Sequence, residues 1–565
     1  MGLSDEVAAV FASDGPLARA LPGYEVRDGQ VRLAEGMADA IELGEPLLGE
    51  AGTGIGKSLA YLVAVLAAGK RAVISTHTKA LQGQLADKDM PVVRQVFPGV
   101  TAAVLKGRSN YLCLLEYHKL TREVEDAGGQ GVLFDSRADA SAYQTLRAWL
   151  HSAEGQAAAG DLDRAPFGLP EELRAAVTVD GQGCIGRKCP YVGECYSQRA
   201  KAEAEAARLV IVNHRLLLLD LVLGDTTGGE VTLLPDIGVV ILDEAHHLED
   251  VATDSFGAEL SIGRWRSLER RLRRLGDELR QRWEGEEAKA IALETLDRVV
   301  DLGPALTTQA EAWMDRLLGA LREAKARELR LLLNPAWSTE GAALSDATMR
   351  LVLGAWEIAD RLRAATSEAE VHEAERWVKL GESAQRLRDW LELALNPQPE
   401  EDPPLVRYVQ REAGRRGERA VLRLRPVRVA ELLARLLWSR RQVLAVSATL
   451  ATGAAPGNGE GAVATLAQQA HGAAGSGLLS LSRRDPFAYW RERVGVDGGV
   501  TRVVPSPFPF RERVRLYVPA DAAALDPSGP EVKTPAGLEA YRGRVVERIE
   551  ALLRMRSGGA FVLFT

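Results

Sequence analysis

Residues 51–58 read Ala-Gly-Thr-Gly-Ile-Gly-Lys-Ser, and no other segment restricts the fold of this chain as strongly. Glycines let backbone N–H groups turn inward around a polyphosphate, and a following helix adds the positive end of its dipole. A short apolar run before the loop and an apolar helical stretch after it give the order that such a loop requires. The residues predicted to surround the phosphates of ATP are Ala51, Gly52, Thr53, Gly54, Ile55, Gly56, Lys57 and Ser58. Among them, Lys57 would reach the β- and γ-phosphates and Ser58 would ligate Mg²⁺.

A second motif, Asp243-Glu244-Ala245-His246, follows another apolar run at 237–242. Two carboxylates at the end of a buried strand suit a nucleotide site, because one can hold the metal ion and the other can polarise the attacking water. We predict that Asp243 holds Mg²⁺ and that Glu244 activates the water.

Three more apolar runs, at 71–75, 209–214 and 442–449, also end in small or polar residues and alternate with helical segments. This pattern predicts an α/β fold with a doubly wound parallel sheet, whose functional groups gather at the carboxyl ends of the strands. At the end of the 71–75 run, Thr76 and Thr78 are candidates for contacts with nucleic-acid phosphates. An N-cap of the next helix is the alternative, and one residue could play both roles.

The chain of 565 residues is long enough for several domains, and its net charge of −8 requires any nucleic-acid surface to be a local basic groove. It lacks an apolar run of about 18 residues and a basic-then-apolar amino terminus, so we expect no membrane contact and a cytoplasmic location. Two long insertions interrupt the predicted sheet, at 106–206 and 251–429. The second is rich in Arg, Glu, Leu and Ala and reads as mostly helical with a solvated face. Residues 452–476, rich in Gly and Ala, read as a flexible excursion.

All four cysteines, Cys113, Cys184, Cys189 and Cys195, fall in the first insertion. Disulfides are uncommon in the cytoplasm, and four thiolates are the usual ligands of a structural Zn²⁺ or a [4Fe–4S] cluster. The Cys-x4-Cys-x5-Cys spacing is wider than that of most zinc pairs and favours the cluster, with buried free thiols as the alternative. Glycines and charged residues around the cysteines predict that they lie on loops.

Further segments complete a known pattern. They are residues 24–30, 75–82, 106–113, 212–214, 243–246, 446–450, 506–508 and 558–565. With these segments, the phosphate loop and the cysteines, the chain resembles the iron–sulphur superfamily 2 DNA helicases of the XPD/DinG group, and in particular the bacterial DinG branch.

The resemblance implies a sequence of domains. They are a RecA-like motor lobe 1 at 1–105, a 4Fe–4S domain at 106–206, the Asp243 strand of lobe 1 at 207–250, a helical arch at 251–429, the last strand of lobe 1 at 430–450, and an incomplete motor lobe 2 at 451–565. The implied activity is ATP-dependent movement on single-stranded DNA, 5′ to 3′, with unwinding of forked duplexes in DNA repair or replication. A monomer associated with the nucleoid is expected.

The resemblance also assigns roles to individual residues. Arg27 and Gln30 would recognise adenine, and His246 would couple the nucleotide site to DNA through Ser447 and Thr449. Arg108 and Tyr111 would join Thr76 and Thr78 in contacting DNA, although a salt bridge to a nearby acid is an equal alternative for Arg108. The cysteines would hold the cluster, with ATP and Mg²⁺ in the motor.

The chain departs from the pattern at Thr565, which falls within an apolar strand of the second lobe, before the motifs that supply arginines to the γ-phosphate. An arginine finger contributes roughly 10³–10⁵ in rate to related enzymes. We therefore expect an incomplete chain with weak hydrolysis of its own. Two other functions stay open: an ATP- and DNA-binding protein with an inactive motor, and a zinc-containing motor that acts on RNA.

Overall fold

The structure, a computed structural model, describes residues 2–126, 137–181, 183–236, 238–283, 290–330, 335–364, 368–397, 404–414, 417–451, 485–508, 532 and 534–554. The chain divides into two compact units, residues 1–507 and residues 508–565. In the second unit, the structure describes one long helix, Pro535–Arg554. The predicted excursion at 452–476 and the terminal motif at 558–565 lie outside the described residues.

The strands of the first unit are β1 (Leu47–Ala51), β2 (Ala72–Thr76), β3 (Ala102–Val104), β4 (Leu209–Asn213), β5 (Val239–Asp243), β6 (Ala258–Ser261), β7 (Glu328–Arg330), β8 (Leu405–Gly414), β9 (Gly417–Pro426), β10 (Gln442–Ser447) and β11 (Val500–Val504). The α-helices are α1 (Leu3–Val10), α2 (Pro16–Ala20), α3 (Asp28–Leu43), α4 (Lys57–Ala67), α5 (Lys79–Gln84), α6 (Met90–Val96), α7 (Leu114–Asp126), α8 (Arg137–His151), α9 (Ala153–Ala157), α10 (Glu171–Val177), α11 (Tyr196–Ala206), α12 (His214–Thr226), α13 (Leu248–Ser255), α14 (Ile262–Trp283), α15 (Ala290–Glu323), α16 (Pro335–Arg363), α17 (Glu368–Leu395), α18 (Ala430–Leu433), α19 (Ala488–Val494) and, in the second unit, α20 (Pro535–Arg554). Two π-helical turns, Leu85–Asp89 and Ala434–Trp438, continue α5 and α18.

A seven-stranded sheet forms the centre of the first unit, in the order β11-β1-β10-β5-β2-β4-β3. Every pair of neighbouring strands is parallel. The five predicted strands are all present, as β1, β2, β4, β5 and β10. Because parallel strands bring their carboxyl ends to one edge, the motifs that follow β1, β2, β4, β5 and β10 meet there.

The sheet is buried on both faces, which confirms the predicted doubly wound α/β fold. Alternate residues of each strand point to opposite sides. Ile74 and Leu209 pack with α1, α3 and α4 on one side, whereas Val73 and Val210 pack with α12, α18 and α19 on the other. The continuous apolar runs of the sequence follow from this double burial.

The predicted boundary of the first lobe at residue 450 needs correction. Strand β11 pairs with β1 along its whole length, from Leu47 opposite Val500 to Ala51 opposite Val504. The preceding helix α19 buries Trp490 and Val494 in the core of the same lobe. Residues 485–507 therefore belong to the lobe that holds the phosphate loop, and the prediction that placed them in a second lobe is wrong.

The first insertion, residues 106–206, has a small core of its own. Helices α7, α8 and α10 enclose Tyr143, Leu146 and Val177, whose side chains are almost fully buried. This core is independent of the sheet core, as expected for a separate domain.

The second insertion, residues 251–429, combines long helices with an unpredicted antiparallel sheet. Helices α14 to α17 bury Trp265, Trp313 and Trp377 in one core, and burial of such a side chain is worth on the order of 1.5–3 kcal/mol. The sheet has the order β6-β9-β8-β7. The prediction of a mostly helical segment is thus correct, but it missed these four strands.

Ion pairs join the two insertions. Lys119 of α7 and Arg376 of α17 both bind the carboxylate of Glu278 on α14, at N–O distances of 3.1 Å and 2.5 Å. Lys188, in the cysteine loop, pairs with Glu375 at 2.7 Å. Because Arg376 is largely buried, removal of one of its carboxylate partners would leave a poorly compensated buried charge between the two insertions.

Candidate functional site

The loop between β1 and α4 has the backbone that its glycines permit. Gly54 and Gly56 have φ angles of 83° and 90°, in the left-handed region that favours glycine. Helix α4 begins directly afterwards at Lys57, so its free N–H groups and dipole lie at the carboxyl edge of the sheet. The structure therefore places the predicted phosphate-binding residues 51–58 at an anion-binding helix terminus.

Two residues predicted to recognise adenine lie beside this loop. The guanidinium of Arg27 donates a hydrogen bond to the carbonyl oxygen of Gly54 at 2.6 Å, and the Gln30 side-chain amide donates to that of Gly56 at 2.9 Å. Gln30 is buried whereas Arg27 is exposed. Both therefore support the loop, and their contact with adenine stays a prediction.

The predicted catalytic side chains form one connected group. The ammonium of Lys57 lies 3.3 Å from Oε1 of Glu244, and the Nδ1 atom of His246 lies 2.6 Å from Oγ of Ser447. Ser447 also donates to Oε2 of Glu244 at 3.3 Å. Glu244 has a φ of 55°, a strained value for a residue other than glycine and one that is often found at functional sites. The sheet thus joins the phosphate loop, the acidic motif and the end of β10.

Asp243 ends β5 in a buried position. Burial raises the pKa of its carboxyl to about 6, and the negative charge of Glu244 adds to the effect, while the Lys57 ammonium opposes it. A cation at this site would restore the charged form of the carboxylate. Mg²⁺ in such sites takes one or two protein ligands and completes its shell with phosphate oxygens and water, so Ser58 and Asp243 fit the ion.

Several functional side chains escaped the sequence analysis. At the carboxyl edge the rings of His77 and His247 stack with their centroids 3.7 Å apart, and the ring of His247 lies tilted against the predicted His246 at 3.9 Å. His214 at the start of α12 is buried, and its Nδ1 lies 2.7 Å from Oγ of Ser75. Burial lowers the pKa of His214 to about 3, so the ring is neutral at physiological pH. Only the tertiary fold brings these rings together.

Glu50, which precedes the loop, was also missed. Its Oε2 atom accepts hydrogen bonds from the backbone N–H groups of Leu450 and Ala451, at 2.7 Å and 2.6 Å. The carboxylate therefore ties the strand before the phosphate loop to the segment that leaves β10. The only sequence feature that could have indicated Glu50 was its position as an acidic residue at the end of an apolar run.

The four predicted DNA contacts differ in their exposure. Thr78 is exposed and caps α5 by accepting the N–H of Leu81, so the N-cap alternative is correct for Thr78. Arg108 is half-exposed, and the described part of the chain offers it no ion pair. Both side chains remain available to nucleic acid.

The other two side chains are buried, and the prediction for them needs correction. Thr76 is 0% exposed and Tyr111 is 5% exposed. The Tyr111 hydroxyl accepts the backbone N–H of Lys106 at 3.2 Å. Because neither side chain reaches the surface, both shape the strand ends and do not offer a direct contact in this conformation.

The cysteines lie on loops, as predicted, and face one another. Burial raises the pKa of Cys113 to about 12, and the charges of Glu116, Cys189 and Cys184 add to the effect. Burial likewise raises the pKa of Cys189, and the charges of Cys184 and Cys195 add to it. All four thiols are half-buried and free. The four thiols fit a metal centre by their chemistry, because thiolates are metal ligands and metal binding replaces the thiol protons.

Within the described residues, no group of three or more His, Cys, Asp or Glu side chains is placed to hold a single metal ion. The four cysteines therefore lie in one insertion, but their side chains do not surround a single ion. Among the described residues, no helix is long and apolar enough to cross a membrane.

Comparison with known proteins identifies relatives. The chain is 40% identical over 254 residues to the ATP-dependent DNA helicase YoaA of Escherichia coli. It is 37% identical over 279 residues to the ATP-dependent helicase DinG of Mycobacterium tuberculosis, and 29% identical over 500 residues to DinG of Photobacterium profundum. The chain is thus similar, over part of its length, to proteins named DinG and YoaA. The predicted resemblance is therefore confirmed.

The matches cover unequal shares of the DinG and YoaA proteins. The YoaA match spans 44% of this chain and 38% of the relative, and the Photobacterium DinG match spans 84% of this chain and 65% of the relative. The chain thus covers less than two thirds of these relatives. No protein-family model matches it. A solved structure described as truncated XPD aligns at 13% identity with a TM-score of 0.33, over 74% of this chain and 93% of that one, and adds nothing to the assignment.

Proposed function

We propose that this chain carries the ATP-binding lobe of an ATP-dependent DNA helicase that moves along single-stranded DNA and opens forked duplexes. The observation that supports it best is the group formed by Lys57, Glu244, His246 and Ser447. A phosphate-loop lysine paired with an acidic-motif glutamate is the arrangement expected of an enzyme that hydrolyses ATP.

In the proposed reaction, Lys57 leaves Glu244 and binds the β- and γ-phosphates. Glu244 is then free to orient a water for in-line attack on the γ-phosphorus and to accept its proton. Bound Mg²⁺, with Ser58 and Asp243 as its protein ligands, would neutralise charge on the phosphates. His246 and Ser447 would connect Glu244 to β10 through their hydrogen bonds. A change at the nucleotide would then pass through this strand to the DNA-binding surface.

The DNA surface combines Thr78 with Arg108 and the neighbouring insertions. Thr78 lies between β2 and α5 and is exposed. Arg108 lies near the start of the first insertion, which contains the cysteines. The first insertion would hold a [4Fe–4S] cluster through Cys113, Cys184, Cys189 and Cys195. Such a cluster would join Cys113 to the distant 184–195 loop and so stiffen the wedge at the duplex fork.

Anaerobic expression of the whole chain, followed by assays of iron, sulphide and phosphate release on one sample, tests this function. We expect iron and sulphide near four atoms per chain, as a [4Fe–4S] cluster requires, and hydrolysis stimulated by single-stranded DNA. A Cys189→Ser chain should lose the metal, and a Ser197→Ala chain should keep it. Strand-displacement assays on forks with 5′ or 3′ tails would establish the direction.

The alternatives give different results in the same experiment. Nucleotide and DNA binding without stimulated hydrolysis would indicate an inactive motor. Zinc in place of iron, with stimulation by RNA and not by DNA, would indicate the RNA-acting motor. A location in the cytoplasm near the nucleoid and a monomeric state belong to the proposal and are open to imaging and sedimentation.

A further inference from the structure

Two polar atoms beneath the phosphate loop are not accounted for by the reaction described above. The Oη atom of Tyr61 and the Oδ2 atom of Asp89 are both buried and have no hydrogen-bond partner. Tyr61 is 0% exposed. Since a buried polar atom without a partner costs about 1–3 kcal/mol, two such atoms near the phosphate loop suggest that a ligand-bound state completes their bonding.

Both atoms face the predicted magnesium ligand. Ser58 and Tyr61 are three residues apart in the first turn of α4 and thus share one side of the helix. That helix packs against the π-helical turn Leu85–Asp89. Ser58 is a neighbour of both the Asp89 carboxyl and the Tyr61 hydroxyl, and Asp243 also lies near the Tyr61 hydroxyl, but none of these groups forms a hydrogen bond with another in this state. A π-helical turn is rare and is frequently found at functional sites, and here it ends at Asp89.

The charges around Ser58 are unbalanced. Asp89, Asp243 and Glu244 supply three carboxylates, whereas two ammonium groups oppose them, that of Lys57, which is already paired with Glu244, and that of Lys88, next to Asp89. The described side chains nevertheless form no group of three that could hold a metal ion directly. Since Ser58 and Asp243 already supply the one or two protein ligands that Mg²⁺ takes in such sites, Asp89 is left to act on the cation through its neighbour Ser58.

We propose that Asp89 is the positioning residue for the magnesium ligand Ser58. Its carboxylate accepts the hydrogen bond of the Ser58 hydroxyl, so that the lone pairs of Oγ point toward the cation. The Tyr61 hydroxyl donates to the free Oδ2 of Asp89 once the cation draws the three groups together. This inference rests on the proposed nucleotide site and adds a residue to it.

Substitution of Asp89 by Asn, in the full chain, tests the idea. Asp87, exposed and two residues away, provides the matched control Asp87→Asn. A fluorescent ATP analogue is titrated with Mg²⁺, and its binding is also measured in EDTA. We expect Asp89→Asn to weaken the Mg²⁺ affinity of the nucleotide complex about 10- to 100-fold, as loss of a carboxylate that orients a metal ligand does elsewhere. Nucleotide affinity in EDTA and the Tm in EDTA should stay as in the unsubstituted chain.

A double-mutant cycle with Ser58→Ala distinguishes an action through Ser58 from a general effect. If Asp89 acts through Ser58, Asp89→Asn should cause no further loss of Mg²⁺ affinity in the Ser58→Ala background. An equal loss in both backgrounds would overturn the proposal, as would weaker nucleotide binding by Asp89→Asn in EDTA. Tyr61→Phe removes only one hydroxyl and should lower the Mg²⁺ affinity several-fold. This variant takes the place of Asp89→Asn in the test if Asp89→Asn does not fold.

The controls separate this inference from the function on which it rests. If the unsubstituted chain binds no nucleotide with or without Mg²⁺, the nucleotide site fails and the role of Asp89 fails with it. If that chain binds nucleotide in a Mg²⁺-dependent way and Asp89→Asn has the same Mg²⁺ affinity, only the role of Asp89 is refuted.

Discussion

The Nδ1 atom of His246 lies 2.6 Å from Oγ of Ser447, although 201 positions separate the two residues in the sequence. The same hydroxyl contacts the carboxylate of Glu244, which itself pairs with Lys57. One serine at the end of β10 therefore connects the acidic motif with the strand that leads out of the lobe. The connection is short and partly buried, so we expect a change at Glu244 to affect Ser447.

Replacing Ser447 by Ala should uncouple hydrolysis from DNA. We expect DNA-stimulated phosphate release to fall about tenfold, within the range of ordinary coupling energies, while nucleotide affinity changes little. Ser439→Ala, at an exposed position on the same segment, is the control. Equal stimulation in both variants would show that the hydroxyl carries no signal.

Replacing Glu244 by Gln should separate binding from hydrolysis. The amide keeps the shape of the side chain but cannot accept a proton from water, so we expect hydrolysis to fall by about 10²–10⁴-fold. Nucleotide should bind at least as well as before, because Lys57 no longer has to leave a carboxylate. Phosphate release and equilibrium binding measure the two effects, and Glu230→Gln, at an exposed site, should change neither.

Replacing Arg108 by Ala should weaken DNA binding in a salt-dependent way. If this half-exposed guanidinium neutralises one phosphate, the slope of log K against log salt should fall by about 0.7 for single strands. Binding titrations at several salt concentrations measure the slope. Arg122→Ala removes an exposed charge from α7 and should leave it unchanged; an unaltered slope for Arg108→Ala would exclude a phosphate contact.

Replacing Glu278 by Gln should destabilise the contact between the two insertions near neutral pH. Burial alone would raise the pKa of Glu278, but hydrogen bonds and charges from Arg376 and Lys119 outweigh it and lower the pKa to about 2. The folded pKa is below the ordinary value, so the carboxylate stabilises the fold above about pH 4.5 and this contribution is lost as the pH falls toward 2. We expect a loss of about 2–4 kcal/mol at pH 7, because Arg376 keeps a buried charge with one partner fewer.

Thermal or denaturant unfolding at several pH values checks this prediction. The difference between Glu278→Gln and the unsubstituted chain should shrink as the pH decreases from 4.5. Asp277→Asn, at the next position and exposed, should cost less than about 1 kcal/mol. A difference that does not depend on pH would mean that lost packing, and not charge, causes the effect.

Sequence patterns predicted the elements that are buried on both faces. The five strands of the central sheet are continuous apolar runs, and the phosphate loop carries its conformation in its glycines. Strand β11 was missed because it lies at the sheet edge, where Thr501 and Val503 are exposed, and because Thr501 and Arg502 break its apolar run. The strands of the second insertion were missed because arginines alternate with apolar residues in β9, and a charge-rich composition suits a solvated helix equally well.

Residues of the site could be predicted only where their function depends on the residues next to them in the sequence. Lys57 and Ser58 follow glycines, and Asp243 and Glu244 end a strand, so short motifs revealed them. Asp89 and His77 carry no such signal, because their significance comes from a π-helical turn and from ring stacking between the segments that follow β2 and β5. The burial of Tyr111 also depends on packing that no spacing rule contains.

The neighbours of β1 have a consequence for biosynthesis. This strand is flanked by β10 and β11, which leave the ribosome about 400 and 450 residues after it. At a synthesis rate of roughly 5–20 residues per second, β1 is made on the order of 20–90 s before the strands that flank it. During this interval β1 has neither of the strands between which it lies in the folded sheet, so both of its edges stay unpaired.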